Sequence, residues 1–151
     1  MSLLTASSMK SRWRGYEYFK SKKVSNLEHP ESTRFRAVVS GSRKEPYTVV
    51  IDLEHIRQSS CTCPHADGRK VICKHMVATY FTAFPQEAEK YYAEVLKEQE
   101  ELENYQDELA NTLVKYVYSL KKREAQELLL EVLETGPEWQ WERFVREHIE
   151  S

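Results

Sequence analysis

Cys61-Thr62-Cys63 and Cys73-Lys74-His75, nine residues apart, contain every cysteine of the 151-residue chain. Read together they give Cys-x-Cys-x9-Cys-x-His. Three soft thiolates and one imidazole are a complete tetrahedral set for zinc, with no position left open for water. That donor set predicts a structural centre, one that shapes the chain and does no chemistry of its own. In an extended strand, side chains i and i+2 point the same way, so Cys61 and Cys63 can grip one ion from a strand end. Cys73 and His75 stand directly before Met76-Val77-Ala78-Thr79-Tyr80-Phe81, which reads as the start of a helix. The partial positive charge of a helix N-terminus suits thiolates. Three thiolates on one dication leave a net negative charge, and Arg69, Lys70 and Lys74 stand near enough in sequence to offset it.

Competing readings of these residues are weaker. A disulfide framework needs an even count and an oxidising compartment, and three cysteines is an odd number. An iron–sulfur or redox site is the other chemistry that thiolates in this number allow. His65 is a rival for the fourth position. Pro64 stiffens the backbone before it and His75 completes a second close pair, but spacing alone leaves both imidazoles open.

The window resembles the SWIM zinc finger, bacterial type, whose signature is Cys-x-Cys-xn-Cys-x-His. Arg14-Gly15-Tyr16-Glu17-Tyr18 and Val24-Ser25-Asn26-Leu27 are similar to the upstream segment of bacterial SWIM proteins. So are Ala37-Val38-Val39-Ser40-Gly41-Ser42 and Tyr47-Thr48-Val49-Val50-Ile51. The resemblance extends over residues 12 to 84. It implies a ββα-like zinc module with Cys61, Cys63, Cys73 and His75 as ligands, and a role in DNA or protein binding. SWIM modules occur in bacterial Swi/Snf-type ATPase proteins, MuDR-type transposases and recombination-associated proteins.

Composition narrows the class further. A hydrophobic content of 40% suits one or two small soluble domains. No run approaches the roughly 18 apolar residues that span a bilayer. Met1 to Lys10 lacks the apolar centre of a secretion signal and reads as a terminal tail. Reduced cysteines without a signal predict a cytoplasmic protein, or a nuclear one if the source has a nucleus. The net charge of −2 conceals a polarity: residues 1–85 carry 14 Lys/Arg against 7 Asp/Glu, and residues 86–151 carry 8 against 17. The plainest reading is a solvated acidic helix set following a basic module. Alternatively the basic half meets an anionic partner, or the two halves attract each other.

Along the chain, Arg12–Lys23 reads as a short helix with Trp13, Tyr16 and Phe19 at core spacing, although Gly15 weakens it. Val24–Leu27 reads as a short strand, and residues 29–32 as a turn with His29 solvated. Arg34–Ser40 and Tyr47–Asp52 are the clearest strands, joined as a hairpin by Gly41–Pro46. Ile56–Cys63 adds a last strand leading to the metal, and Pro85 closes the helix that begins near Cys73. From Gln86 the pattern is helical, with Ala88, Tyr92, Val95, Leu102, Leu109 and Leu113 recurring at steps of three, four or seven. One long helix and two shorter ones fit equally well. Lys121–Glu134 is a further helix. Gly136 reads as its C-cap and Pro137 as the first residue of the last helix. Trp139 and Trp141 read as packing within a helical bundle, with a docking surface as the alternative.

The expected fold is α+β: a small antiparallel sheet and ββα-like zinc module over 1–85, then an all-helical acidic segment over 86–151. The chain carries no phosphate-binding Gly-rich loop, His-Glu-x-x-His pair, nucleophile elbow or carboxylate cluster at catalytic spacing. The expected function is therefore non-enzymatic: zinc-dependent docking of nucleic acid, DNA first, with no membrane and no small-molecule substrate. Arg34, Arg36, Arg43, Lys44, Arg69, Lys70 and Lys74 are candidate phosphate contacts, because phosphates require only positive charge and exposed donors. The alternative is a protein–protein interaction module, an accessory to a recombination or Swi/Snf-type ATPase system or a fragment of a longer protein. A thiol-based redox or zinc sensor is a third class, which requires ligands that exchange easily.

Overall fold

Alternation of apolar and polar residues in Arg34-Phe35-Arg36-Ala37-Val38-Val39 builds the centre of the sheet. The computed structural model describes residues 2–150, apart from the side chains of Pro30 and Glu31. Four strands, β1 (Val24–Glu31), β2 (Arg34–Val39), β3 (Tyr47–Asp52) and β4 (Ser60–Cys61), form an antiparallel meander in that order. Phe35, Ala37 and Val39 of β2 point inward, as do Val49 and Ile51 of β3, and all are almost wholly buried. Arg34 and Arg36 lie on the opposite face of β2, as the alternation requires. β3 pairs with β4 through Val49 opposite Cys61, so the first metal ligand hangs on the sheet itself.

Helix α3 (Lys74–Ala83) covers the inner face of the sheet. It is buried on most sides, through Met76, Val77, Ala78, Thr79 and Phe81. Full burial of a side chain such as Phe81 contributes about 1.5–3 kcal/mol. Helix α2 (Met9–Lys20) packs closely on α3 at Gly15, where an added Cβ would lie 2.5 Å from Val77 Cβ. The glycine that weakens α2 as an isolated helix is thus what lets two helices meet. Tyr16 is buried and lies edge-on to Phe81 at 6.2 Å, whereas Trp13 stays 40% exposed, so only part of the expected aromatic core forms.

The amino-terminal residues belong to the fold and do not form a tail. A short helix, α1 (Leu3–Ala6), buries Leu3 in the core, and Ser7 bridges in parallel to Ile72, the residue before Cys73. The expected turn at residues 29–32 also shifts. β1 continues through Glu31, and His29 meets Phe35 edge-on at 4.7 Å, because ring packing on β2 holds it against the sheet.

A single helix, α4 (Pro85–Ser119), follows. Its first turns return to the core: Ala88 is buried, Tyr91 stacks on Phe81 at 5.5 Å and Tyr92 stacks on Tyr16 at 5.0 Å. Contacts group the chain into two units, one up to Leu96 and one from Lys97. The second unit holds the rest of α4, then α5 (Lys122–Thr135) and α6 (Glu138–His148). Leu133 is the one buried residue among its described residues. The bundle packing expected of Trp139 and Trp141 therefore does not form: they are 63% and 54% exposed. Gly136 closes α5 in extended backbone (φ −73°), so it serves by close approach, where a Cβ would meet Gln140 and the Val132 carbonyl. Pro137 is the N-cap of α6, one residue earlier than expected.

Candidate metal centre

A strand end, a turn and a helix start deliver the four ligands. Cys61 ends β4, and Cys63 lies just beyond it in the turn. Thr62 between them is held twice to β3: its N–H donates to the Thr48 carbonyl at 3.1 Å, and its Oγ1 accepts from the Thr48 N–H at 3.0 Å. This clamp leaves Thr62 outward and both cysteines inward. The Cys63 carbonyl accepts from the Ala66 and Asp67 N–H groups, which turns the chain back, and Gly68 supplies a left-handed residue (φ +67°). Cys73 is the N-cap of α3 and His75 lies in its first turn.

The donor atoms of Cys61, Cys63, Cys73 and His75 all lie within 4.8 Å of one another, and all four residues are buried. His75 Nδ1 is 3.7 Å from Cys61 Sγ and 3.8 Å from Cys73 Sγ. A tetrahedral zinc with bonds of about 2.3 Å to sulfur and 2.0–2.1 Å to nitrogen puts S···N edges at roughly 3.6 Å. The residues present therefore fit zinc, bound through Nδ1, with no fifth group needed. Three cysteines in mutual contact and without a disulfide point the same way. His65 is exposed and outside this cluster.

The electrostatics also suit a cation. The Cys61 thiol hydrogen-bonds to Cys73 and, with help from His75 and the Met76 N–H at the helix start, pulls the Cys73 thiol far below its ordinary value. The same contact, together with burial, pushes Cys61 up. Two thiols this close cannot both ionise without a positive charge between them. Around His75 the Tyr47 ring lies at 4.6 Å and the Tyr18 ring at 5.3 Å. Its Nε2 is buried with no hydrogen-bond partner among the described residues, so aromatic rings and not a carboxylate set its orientation. Lys74 Nζ donates to the Tyr18 hydroxyl at 2.8 Å and lies over that ring at 4.3 Å.

Residues 47–83 match the SWIM zinc finger family, a span that takes in β3, β4, the metal loop and α3. The chain carries a SWIM zinc-finger domain. Zinc is the metal its cluster fits, and the SWIM finger is a binding domain, not a catalytic one. No curated protein and no solved structure matches the chain. Among the described residues no helix is long and apolar enough to cross a membrane.

Beside the SWIM ligands lies a cleft of about 440 Å³, whose lining includes Cys63, Cys73 and His75, the basic residues Lys10, Arg14, Arg43 and Lys74, and Ser8, Ser11, Ser42 and His65. Two of the seven sequence-selected basic residues, Arg43 and Lys74, meet here. The others do not. Arg34 donates from Nε to Asp52 at 3.1 Å. Arg36 is exposed on the outer face of β2, Lys44 is exposed in the hairpin, and Arg69 is exposed in the metal loop. Lys70 lies with Arg57 at a separate, smaller cleft. Lys10 and Arg14, which were not among the seven, also line the cleft. Their i, i+4 spacing places them on one face of α2, but only the docking of α2 on α3 brings that face to the metal.

Proposed function

We propose that the protein is a non-enzymatic, zinc-stabilised docking module of the cytoplasm whose basic cleft receives the phosphate backbone of nucleic acid, DNA first. The carrying observation is the convergence of Lys10, Arg14, Arg43 and Lys74 on one concavity next to a closed metal centre. The cations come from α2, the hairpin and α3, so metal binding, which fixes α3, also fixes the spacing of the positive charges. Three serines and the exposed side chains of Lys10, Arg14 and Arg43 supply donors suited to phosphate oxygens, with the half-buried Lys74 beside them. The affinity is micromolar or weaker, without strong sequence preference, since phosphate contacts carry no sequence information of their own.

The test is a binding titration of the whole chain on duplex DNA at two salt concentrations. The expected salt slope corresponds to a few phosphates, each contributing about −0.9. Changing Lys10, Arg14 and Arg43 together to Glu should abolish binding and leave zinc content intact. Binding that survives this triple change at low salt overturns the assignment to the cleft. A second reading, docking of a protein partner on the acidic helices, is favoured by the exposed apolar residues beyond Leu96. Absence of any DNA binding at low salt selects that reading.

A further inference from the structure

His65, the imidazole that the metal cluster leaves out, is exposed and lines the basic cleft together with Pro64 and Tyr47. Its backbone is held on both sides. The Cys63 carbonyl accepts from the Ala66 N–H at 3.0 Å and from the Asp67 N–H at 2.9 Å. Thr62 is clamped to β3, and Cys63 itself belongs to the metal cluster. A turn fixed in advance adds little ordering cost when a ligand meets it.

The cleft also offers more than a phosphate uses. Phosphate oxygens need positive charge and donors, which a flat surface presents as well as a hollow one. This hollow measures about 440 Å³, within the roughly 300–1,000 Å³ of sites that hold a small molecule. Part of its lining is ring surface, from Tyr47, Pro64 and His65, beside the four cations. A duplex keeps its bases paired and stacked inside. The bases of a single strand splay out and stack on aromatic side chains, histidine among them.

We infer that the cleft takes an unpaired nucleotide, so that the protein prefers single-stranded nucleic acid to duplex. The base lies on the His65 imidazole, and the neighbouring phosphates meet the cations of α2, the hairpin and α3. The inference rests on the nucleic-acid reading of this cleft and narrows it. Stacking tolerates any sequence, because every base has a π-face. It gives His65 a use that the metal does not.

A fluorescence titration of the zinc-loaded full chain tests it, with an oligothymidylate and with the same strand annealed to its complement, at one low salt concentration. The expected result is at least about tenfold tighter binding of the single strand. His65→Ala should weaken that binding about fivefold or more, the low end for loss of one stacked base, and leave the duplex affinity and zinc content unchanged. His65→Phe should restore it. Equal or tighter binding of the duplex, or a strand affinity indifferent to His65→Ala, overturns the inference and leaves the nucleic-acid reading standing. No binding of either form overturns both. Displacement of the strand by thymidine monophosphate at matched nucleotide concentration overturns the inference as well, by assigning the cleft to a free nucleotide.

Discussion

Replacing Gly15 with alanine sets two effects of opposite sign against each other. Helix propensity alone makes Gly15→Ala stabilising by about 1 kcal/mol, because mid-helix glycine costs that much relative to alanine. The packing opposes it. A Cβ at residue 15 would lie 2.5 Å from both Cβ and Cγ1 of Val77 and 2.9 Å from the Lys74 carbonyl oxygen. Favourable carbon–carbon contact needs about 3.5–4.0 Å, so α2 and α3 must separate by roughly 1 Å. Val77 is fully buried, and a β-branched residue in a helix has essentially one rotamer, so it has nowhere to turn. Overpacking of this kind costs about 1–3 kcal/mol, and three close contacts, one of them to backbone, place it at the upper end. The net effect is a destabilisation of about 2 kcal/mol, or roughly a 10 °C fall in melting temperature for a unit of this size. Because α3 carries Cys73 and His75, the variant should also surrender zinc to a chelator more readily. Thermal unfolding of the zinc-loaded protein and chelator competition read both quantities. Truncation at Val77→Ala removes Cγ1, so the double variant should cost less than the sum of the two singles. A Gly15→Ala protein that melts at or above the parent, with zinc retention unchanged, refutes the reasoning.

The metal centre and its supports allow further expectations. Purified protein should hold one zinc per chain with three sulfur ligands and one nitrogen by X-ray absorption. Cys63→Ser or Cys73→Ser should remove hydrogen-exchange protection over residues 56–84 while much of the helical signal from beyond Lys97 persists, since structural zinc contributes roughly 10 kcal/mol or more in isolated fingers. Asp52 accepts from the His55 N–H at 2.7 Å and from Arg34 Nε at 3.1 Å, which lower its carboxyl from the usual value, the backbone bond most. A depressed folded pKa contributes stability above the unfolded carboxylate value, lost as pH falls through the folded one. Asp52→Asn should therefore flatten that acid limb in denaturant titrations, and an unchanged limb would show that Asp52 does not contribute.

The ligand set was legible because four residues with metal chemistry stood in a short window, and the meaning of a Cys-x-Cys or Cys-x-His pair is local. The hairpin was legible for the same reason: β2 and β3 state their own period, and the alternation of Arg34 and Arg36 with Phe35 and Ala37 fixes which face is inward. Features that depend on distant partners were not legible. Leu3 looks like part of a tail until α1 is seen to sit on the core. His29 looks like a turn residue until Phe35 is placed beneath it. Capping signals were nonetheless present in the amino-terminal stretch: Ser2 accepts from the Thr5 N–H and Ser8 from the Ser11 N–H, each at the three-residue spacing of an N-cap.

Lys10 and Arg14 show why the basic cleft was harder to read than the metal centre. Seven basic residues were chosen for charge and exposure along the chain, and those criteria hold for nearly any lysine. What separates Arg43 and Lys74 from the rest is that α2 and the hairpin tip converge on the amino end of α3. That convergence has identifiable causes. Gly15 permits α2 to approach, and the Ser7–Ile72 bridge ties the start of α2 to the residue before Cys73. Gly41 leaves room for the Tyr47 ring, which in turn lies on His75. Each contact ends at a metal ligand or its neighbour. The zinc therefore does more than hold residues 61–75 together: it is the point on which the helix and hairpin bearing the basic side chains are registered. A loss of metal should consequently disperse the positive cleft as well as loosen the core, and anion binding should fall with zinc occupancy in one step.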